Sequence, residues 1–360
     1  MENINTRVLE LAPYQPGKPL EELSRELGIG DAIKLASNEN PRGPGLGVRQ
    51  ALADAITGIS RYPDSTGYRL KRILADRLDV DEAQITLGNG SNDVLELAAR
   101  VALSPGSVGV VDEYCFVVYP LAIAAAHGKL TRVSSVDWGH DLDEMATAID
   151  AATRIVYIAN PNNPTGTWVN KKSLEKFLNR VPERVWVVLD EAYFEYVDGK
   201  DYPDGVKMIV DYPNLIVTRT FSKIHGLAAL RIGYSVTSSD FADLMNRIRQ
   251  PFNVNTLALA AAEAALADDD YIIASRRLNT RGMDYVVKGL GKLGFSVIPS
   301  AGNFVSFESG LASRRIYEAL LQRGVIVRPL GNYGMNEHLR VTVGLPDENE
   351  RFLEALSQII

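Results

Sequence analysis

Between residues 108 and 236, short apolar runs alternate with stretches in which apolar residues recur at helical spacing. The runs are Val108–Val111, Lys129–Ser134, Ile155–Ala159, Val185–Leu189, Leu215–Thr218 and Ile232–Val236, and the spacing predicts helices near 117–127, 143–151 and 171–180. Strands that are apolar at nearly every position belong to a sheet covered on both faces. Their alternation with helices makes that sheet mostly parallel. Ligands of such sheets bind beyond the carboxyl ends of the strands, so polar residues just after the apolar runs are the first candidates for chemistry.

The flanking segments read differently. Residues 1–45 predict a short helix, a proline-rich arm (Ala12-Pro13-Tyr14-Gln15-Pro16-Gly17-Lys18-Pro19), a helix over 20–28 and the segment Lys34–Pro41. Helices follow near 46–57 and 67–78, with Tyr62 between them, held extended by Pro63. From about 241 to 290 the pattern is helical. The remainder predicts strands at 303–307, 325–328 and 339–343, with helices at 312–322 and from about 347. The expected architecture is therefore α/β: a large domain over 46–250 with a mostly parallel central sheet flanked by helices, and a smaller α+β unit formed by 1–45 and 251–360.

Composition narrows the function. The 360 residues are 46% hydrophobic with a net charge of -7, which lacks the positive footprint of a nucleic-acid surface. One cysteine, Cys115, cannot form an internal disulfide, and the four histidines show no metal-ligand spacing. The first residues carry no apolar signal run, and no apolar stretch approaches the roughly 20 residues that span a bilayer. A cytoplasmic protein acting on small molecules, without metal or membrane partner, is expected.

The candidate chemistry centres on Lys223. Thr220 and Ser222 precede it and Arg231 follows, which suits an amine that holds a phosphorylated aldehyde covalently beside phosphate ligands. The cofactor this suggests is pyridoxal phosphate; the same residues also suit a solvated loop. Gly88-Asn89-Gly90-Ser91-Asn92 turns tightly into a helix that Ser91 can cap, and the unpaired amides there can cradle a phosphate. No Gly-Lys-Ser/Thr follows, so this is not a nucleotide-binding P-loop. Asn163 lies in a proline-rich turn after one strand. Asp190 ends another, where a carboxylate needs a cation such as a protonated pyridine nitrogen.

Taken in order, Asn163, Asp190, Tyr193, Lys223 and Arg231 resemble the signature of fold type I pyridoxal-phosphate aminotransferases. The likeness extends over essentially the whole chain. Pro13–Gly17, Leu35–Pro41, Arg61–Asp64 and Leu339–Gly344 are similar to the histidinol-phosphate aminotransferase family. That resemblance implies that Lys223 is the covalent tether and acid–base catalyst, that Asp190 pairs with the pyridine nitrogen, and that Asn163 and Tyr193 bond the ring's phenolic oxygen. It places the phosphate on Ser91, Asn92, Thr220, Ser222, Arg231 and, across a homodimer interface, Tyr62. Arg340 would take the substrate carboxylate, with Arg328, Tyr14 and Asn38 lining the pocket. Phe116 stands where many members have a ring-stacking tyrosine. The implied reaction is transamination of L-histidinol phosphate with 2-oxoglutarate to imidazole acetol phosphate and glutamate in histidine biosynthesis. An aromatic amino-acid aminotransferase on the same fold is the alternative.

Overall fold

The computed structural model describes residues 5–13 and 17–360. Its centre is a seven-stranded sheet in the order Ile85–Gly88, Gly233–Val236, Leu215–Thr220, Trp186–Asp190, Thr153–Ala159, Val108–Asp112, Lys129–Val133. Gly233–Val236 runs antiparallel to both neighbours, and the other pairings are parallel. The apolar runs follow from this burial. Val187 and Leu189 point into one apolar cluster while Val188, between them, points into another; Val156 and Ile158 alternate in the same way with Ile155 and Tyr157. Helices Tyr68–Leu78, Lys171–Leu178 and Thr256–Leu266 cover the first face, and Ser91–Ala102, Val118–Ala125 and Ser239–Ile248 the second. The residues from Val254 to Leu266 thus pack on the large sheet although they lie beyond the boundary expected at 250.

A second, antiparallel sheet runs Arg328–Pro329, His338–Thr342, Phe304–Glu308, Val297–Ile298. Its apolar side, with Val305, Phe307, Leu339 and Val341, packs on Val286, Leu320 and Phe352 from three helices. Ile33–Lys34 pairs in parallel with Val325–Ile326, which ties the N-terminal arm to this part of the molecule and fixes the path of Leu35–Asn40.

Three expectations change. The strand expected over 325–328 is two short ones, because Val325–Ile326 bonds to the arm while Arg328–Pro329 bonds to His338–Thr342. The helical region after 241 is three helices, Ser239–Ile248, Thr256–Leu266 and Asp269–Lys292; side chains of Asn255 and Asp268 accept main-chain N–H bonds at the starts of the last two. Such caps stabilise a helix by about 1 kcal/mol each. The helix expected at 143–151 is Leu142–Thr147, because Asp150 accepts the N–H groups of Ala152 and Thr153 and turns the chain into the next strand.

Candidate active site

The parallel strands end on one edge of the large sheet. Asp112 leads to Phe116, Ala159 to Asn163, Asp190 to Tyr193, and Thr220 to Lys223. These residues, except Asp112, line a cavity of about 170 Å³, closed on its other side by Ala36, Ser37 and Asn38 of the arm and by Arg328, Tyr333 and Arg340. A single water needs only on the order of 10–15 Å³ of such space, so the cavity suits a small organic molecule. Lys223, Arg231, Arg328 and Arg340 line it against the single carboxylate of Asp190. In an acidic protein this is a local trap for anions.

Lys223 follows the strand that precedes the reversed one, so its side chain leaves the sheet edge into the cavity. Nζ donates to the Ser37 carbonyl at 3.4 Å and lies 5.6 Å from the centre of the Tyr193 ring. Burial, followed by the charge of Arg340, lowers its pKa to about 8 from an ordinary 10.5. An amine of that kind is unprotonated often enough to act as nucleophile and base.

Asp190, 4% exposed, is held through both oxygens. Thr218 Oγ1 donates to Oδ1 at 3.0 Å and the Tyr119 hydroxyl to Oδ2 at 2.8 Å. Burial pushes its pKa up, and these two hydrogen bonds pull against that. Such a carboxylate is stabilised by a cationic partner in the cavity.

At one end of the cavity, the helix Ser91–Ala102 begins beside Arg231. Gly90, at φ +83°, is the residue before the first turn, so Ser91 does not cap the helix through its side chain as expected; it is the helix's first residue. A Cβ on Gly90 would stand 2.5 Å from Arg231 Nη2, and one on Gly233 would stand 2.5 Å from the Ser91 nitrogen. The absence of side chains here is what lets a guanidinium and a helix start converge, a combination suited to a phosphate. Arg231 is oriented by Ser222 Oγ (3.2 Å) and the Ala228 carbonyl (3.0 Å), and Thr220 Oγ1 accepts the Ser222 N–H at 3.1 Å. Asn92 is exposed at this end.

At the other end, Arg340 on strand His338–Thr342 donates to the Asn163 side-chain oxygen and, at 2.9 Å, to the Ala36 carbonyl. Asn163 accepts through its oxygen, so its NH2 is the group left to donate. Tyr193 accepts a 2.8 Å bond from Asn38 Nδ2, which leaves its own hydrogen for a ligand; burial raises its pKa to about 12 and keeps it a phenol. Asn38, at φ +56°, is fixed by its N–H to Thr342 Oγ1 and by Asn303 bonding its carbonyl. Arg328, 6% exposed, is a cavity residue and not a surface charge.

Tyr62 lies elsewhere: it is 83% exposed, stacked 4.6 Å from Phe252, and does not line the cavity of its own chain. Tyr14 lies outside the described residues. Tyr119 and Thr218 are site residues that the sequence reading missed. The signal was a phenol inside an apolar helix and a hydroxyl inside an apolar strand, since each must find a partner when buried.

The family described as aminotransferase class I and II matches residues 30–356. Histidinol-phosphate aminotransferase 2 of Pseudomonas fluorescens is 54% identical over 355 residues, covering 98% of this chain and 96% of the relative. Histidinol-phosphate aminotransferase 1 of Nitrosococcus oceani is 52% identical, covering 97% and 95%. Among solved structures, histidinol-phosphate aminotransferase from Sinorhizobium meliloti in complex with pyridoxal-5'-phosphate superposes with a TM-score of 0.92 at 29% identity, covering 100% of this chain and 98% of that one. Aspartate aminotransferase from Thermus thermophilus, at 21% identity and a TM-score of 0.86, shares the fold. A family match that runs from the N-terminal arm to the last helix, on a sheet whose strand ends converge on one amine and one buried carboxylate, makes this chain a member of the class I and II aminotransferases.

Proposed function

We propose that this protein catalyses the pyridoxal-phosphate-dependent transamination of L-histidinol phosphate with 2-oxoglutarate, giving imidazole acetol phosphate and glutamate in histidine biosynthesis. The observation that carries the reading is the 54% identity to a histidinol-phosphate aminotransferase across nearly the full chain, joined to a cavity with four cationic side chains. That identity favours it over an aromatic amino-acid aminotransferase.

The residues present fit the cofactor. Lys223 offers the amine for the covalent link, and Asp190 offers a buried carboxylate for the ring nitrogen. The amides at Ser91 and Asn92, with Thr220, Ser222 and Arg231, offer a phosphate cradle opened by Gly90 and Gly233. Tyr193 and the Asn163 amide would donate to the ring oxygen, and Phe116 would offer its ring to the cofactor's. When bound, pyridoxal phosphate supplies an aldehyde that takes up the amino group and a protonated ring that accommodates the electron pair left by the departing α-proton.

The chain's own residues do the rest. Arg340 receives the carboxylate of glutamate or 2-oxoglutarate, and with Arg328 receives the phosphate of the other substrate; a guanidinium fork matches both oxyanions. Lys223 Nζ takes the proton from the substrate's α-carbon and returns it within the cavity, at a pKa near working pH. Asp190 holds negative charge at the ring nitrogen. Arm residues Ser37 and Asn38 cover the cavity; the Ser37 carbonyl accepts from Lys223, and Asn38 fixes Tyr193.

A homodimer is part of the proposal. The exposed Tyr62–Phe252 pair and exposed Leu46, Ile56 and Ile59 form apolar surface that a second copy would cover, bringing Tyr62 to the partner's phosphate cradle. The unit holding the cofactor starts near residue 46, and the passage to the smaller unit, which includes residues 1–45, falls along helix Asp269–Lys292. A cytoplasmic setting agrees with the lone buried thiol of Cys115, raised by burial to about 12. No helix among the described residues is long and apolar enough to cross a membrane. Steady-state comparison of histidinol phosphate with phenylalanine and tyrosine, each with 2-oxoglutarate, tests the substrate: a higher kcat/KM for either aromatic amino acid would overturn the assignment.

A further inference from the structure

The carboxylate that faces the cavity is oriented from behind by a group whose hydroxyl bonds to it. Tyr119 is fully buried, and its hydroxyl meets Asp190 Oδ2 at 2.8 Å. Its ring is clamped, stacked on Tyr157 at 4.7 Å and 15° and met edge-on by Phe116 at 5.7 Å and 81°. Tyr157 is itself fixed by its hydroxyl on the Leu95 carbonyl at 3.0 Å. The hydroxyl of Tyr119 therefore cannot swing away from Asp190. Resting on the cofactor reading above, we propose that Tyr119 is a positioning residue that holds Asp190 ionised and aimed at the nitrogen of the pyridoxal phosphate ring.

The chemistry supports a phenol in this place. Thr218 satisfies Oδ1, and Tyr119 satisfies one direction of Oδ2, so the carboxylate plane is set and an acceptor direction remains for the ring. Both donors favour the charged form in a site whose burial disfavours it. Burial also raises Tyr119 well above the ordinary phenol value, so it donates the same hydrogen throughout the working range and carries no charge of its own. Phe116 lies two residues before the helix Val118–Ala125, and its carbonyl accepts the N–H of Tyr119, the helix's second residue, at 3.1 Å. A single turn thus delivers one aromatic ring to the cavity and one hydroxyl to the carboxylate behind it.

The test is the affinity of cofactor-stripped protein for pyridoxal phosphate, followed by fluorescence quenching across pH, for Tyr119→Phe, Asp190→Asn and Tyr157→Phe beside the parent. Losing a hydrogen bond to a charged group predicts binding weakened on the order of tenfold for Tyr119→Phe. The acid-side loss of binding should move to higher pH, because Asp190 then takes up a proton more readily. Tyr157→Phe keeps the ring stacked on Tyr119 and loses only the bond to the Leu95 carbonyl, so it should weaken binding far less than Tyr119→Phe and leave the acid limb in place. Replacement of Tyr119 by 3-fluorotyrosine, a stronger donor of nearly the same shape, should move the acid limb to lower pH, and keeps the test readable if the phenylalanine variant folds poorly. Parent-like affinity and acid limb in Tyr119→Phe and the fluorotyrosine protein, with Asp190→Asn impaired, would overturn the role of Tyr119 alone; parent-like binding by Asp190→Asn as well would remove the cofactor reading beneath it.

Discussion

Replacing Lys223 by methionine should stabilise the cofactor-free protein, and by an amount that depends on pH in a defined direction. The lysine amine loses its proton near pH 8 in the folded chain and near 10.5 when exposed. Between those values the unfolded chain binds more protons, so folding stability rises with pH across the window. Below pH 8 the cost of keeping the ammonium in the cavity is fully present; above 10.5 it is gone. That difference corresponds to about 3 kcal/mol, and water in the cavity reduces this towards about 2. Methionine has similar length and no charge, so it removes that cost while filling the same space.

The assay is chemical unfolding of stripped protein, parent and Lys223→Met side by side, at neutral pH and again near pH 9.5. The variant should be more stable by about 2–3 kcal/mol at neutral pH, and roughly half of that advantage should vanish at the higher pH. A difference that does not change with pH would refute the reasoning, since a packing effect has no reason to titrate. A less stable variant at neutral pH would show that the Ser37 hydrogen bond outweighs the burial of charge.

Other perturbations read other parts of the site. Arg340→Lys keeps the charge but loses the fork that bonds Asn163 and the Ala36 carbonyl; KM for 2-oxoglutarate should rise on the order of 10–100-fold in steady-state assays, with a smaller change in kcat. Gly90→Ala puts a Cβ 2.5 Å from Arg231 at φ +83°, so equilibrium dialysis should find pyridoxal phosphate bound at least tenfold more weakly while circular dichroism is unchanged. Mixing inactive Lys223→Ala subunits with Tyr62→Ala subunits should recover activity, because one site per hybrid dimer would then have both residues. No recovery in hybrids whose formation is verified would place Tyr62 outside the partner's site.

What the sequence discloses and what it hides follow from the range of the interactions. Asp190 and Lys223 are legible because each ends or follows an apolar run, and a polar residue there has few places to go in a sheet covered on both faces. The direction of Gly233–Val236 is not legible, since an apolar run marks a buried strand and says nothing of its orientation. Tyr119 escapes for another reason: its meaning lies in a contact with Asp190, 71 residues on; Asn38 is named only through the family resemblance, because the bond that fixes it is to Thr342, 304 residues on. The capping role expected of Ser91 fails because two glycines, not a side chain, shape that helix start. The split of 325–328 depends on a strand from the far N-terminus.

The central claim is that this cavity passes an amino group from histidinol phosphate to 2-oxoglutarate with Lys223 as tether and proton carrier. Single-turnover absorbance of cofactor-loaded protein tests it most directly. Histidinol phosphate and glutamate should each convert the pyridoxal spectrum rapidly to the pyridoxamine spectrum, 2-oxoglutarate should reverse it, and phenylalanine should react far more slowly. Phenylalanine reacting as fast as histidinol phosphate would contradict the substrate, and an unchanged spectrum with every amino donor would contradict transamination itself.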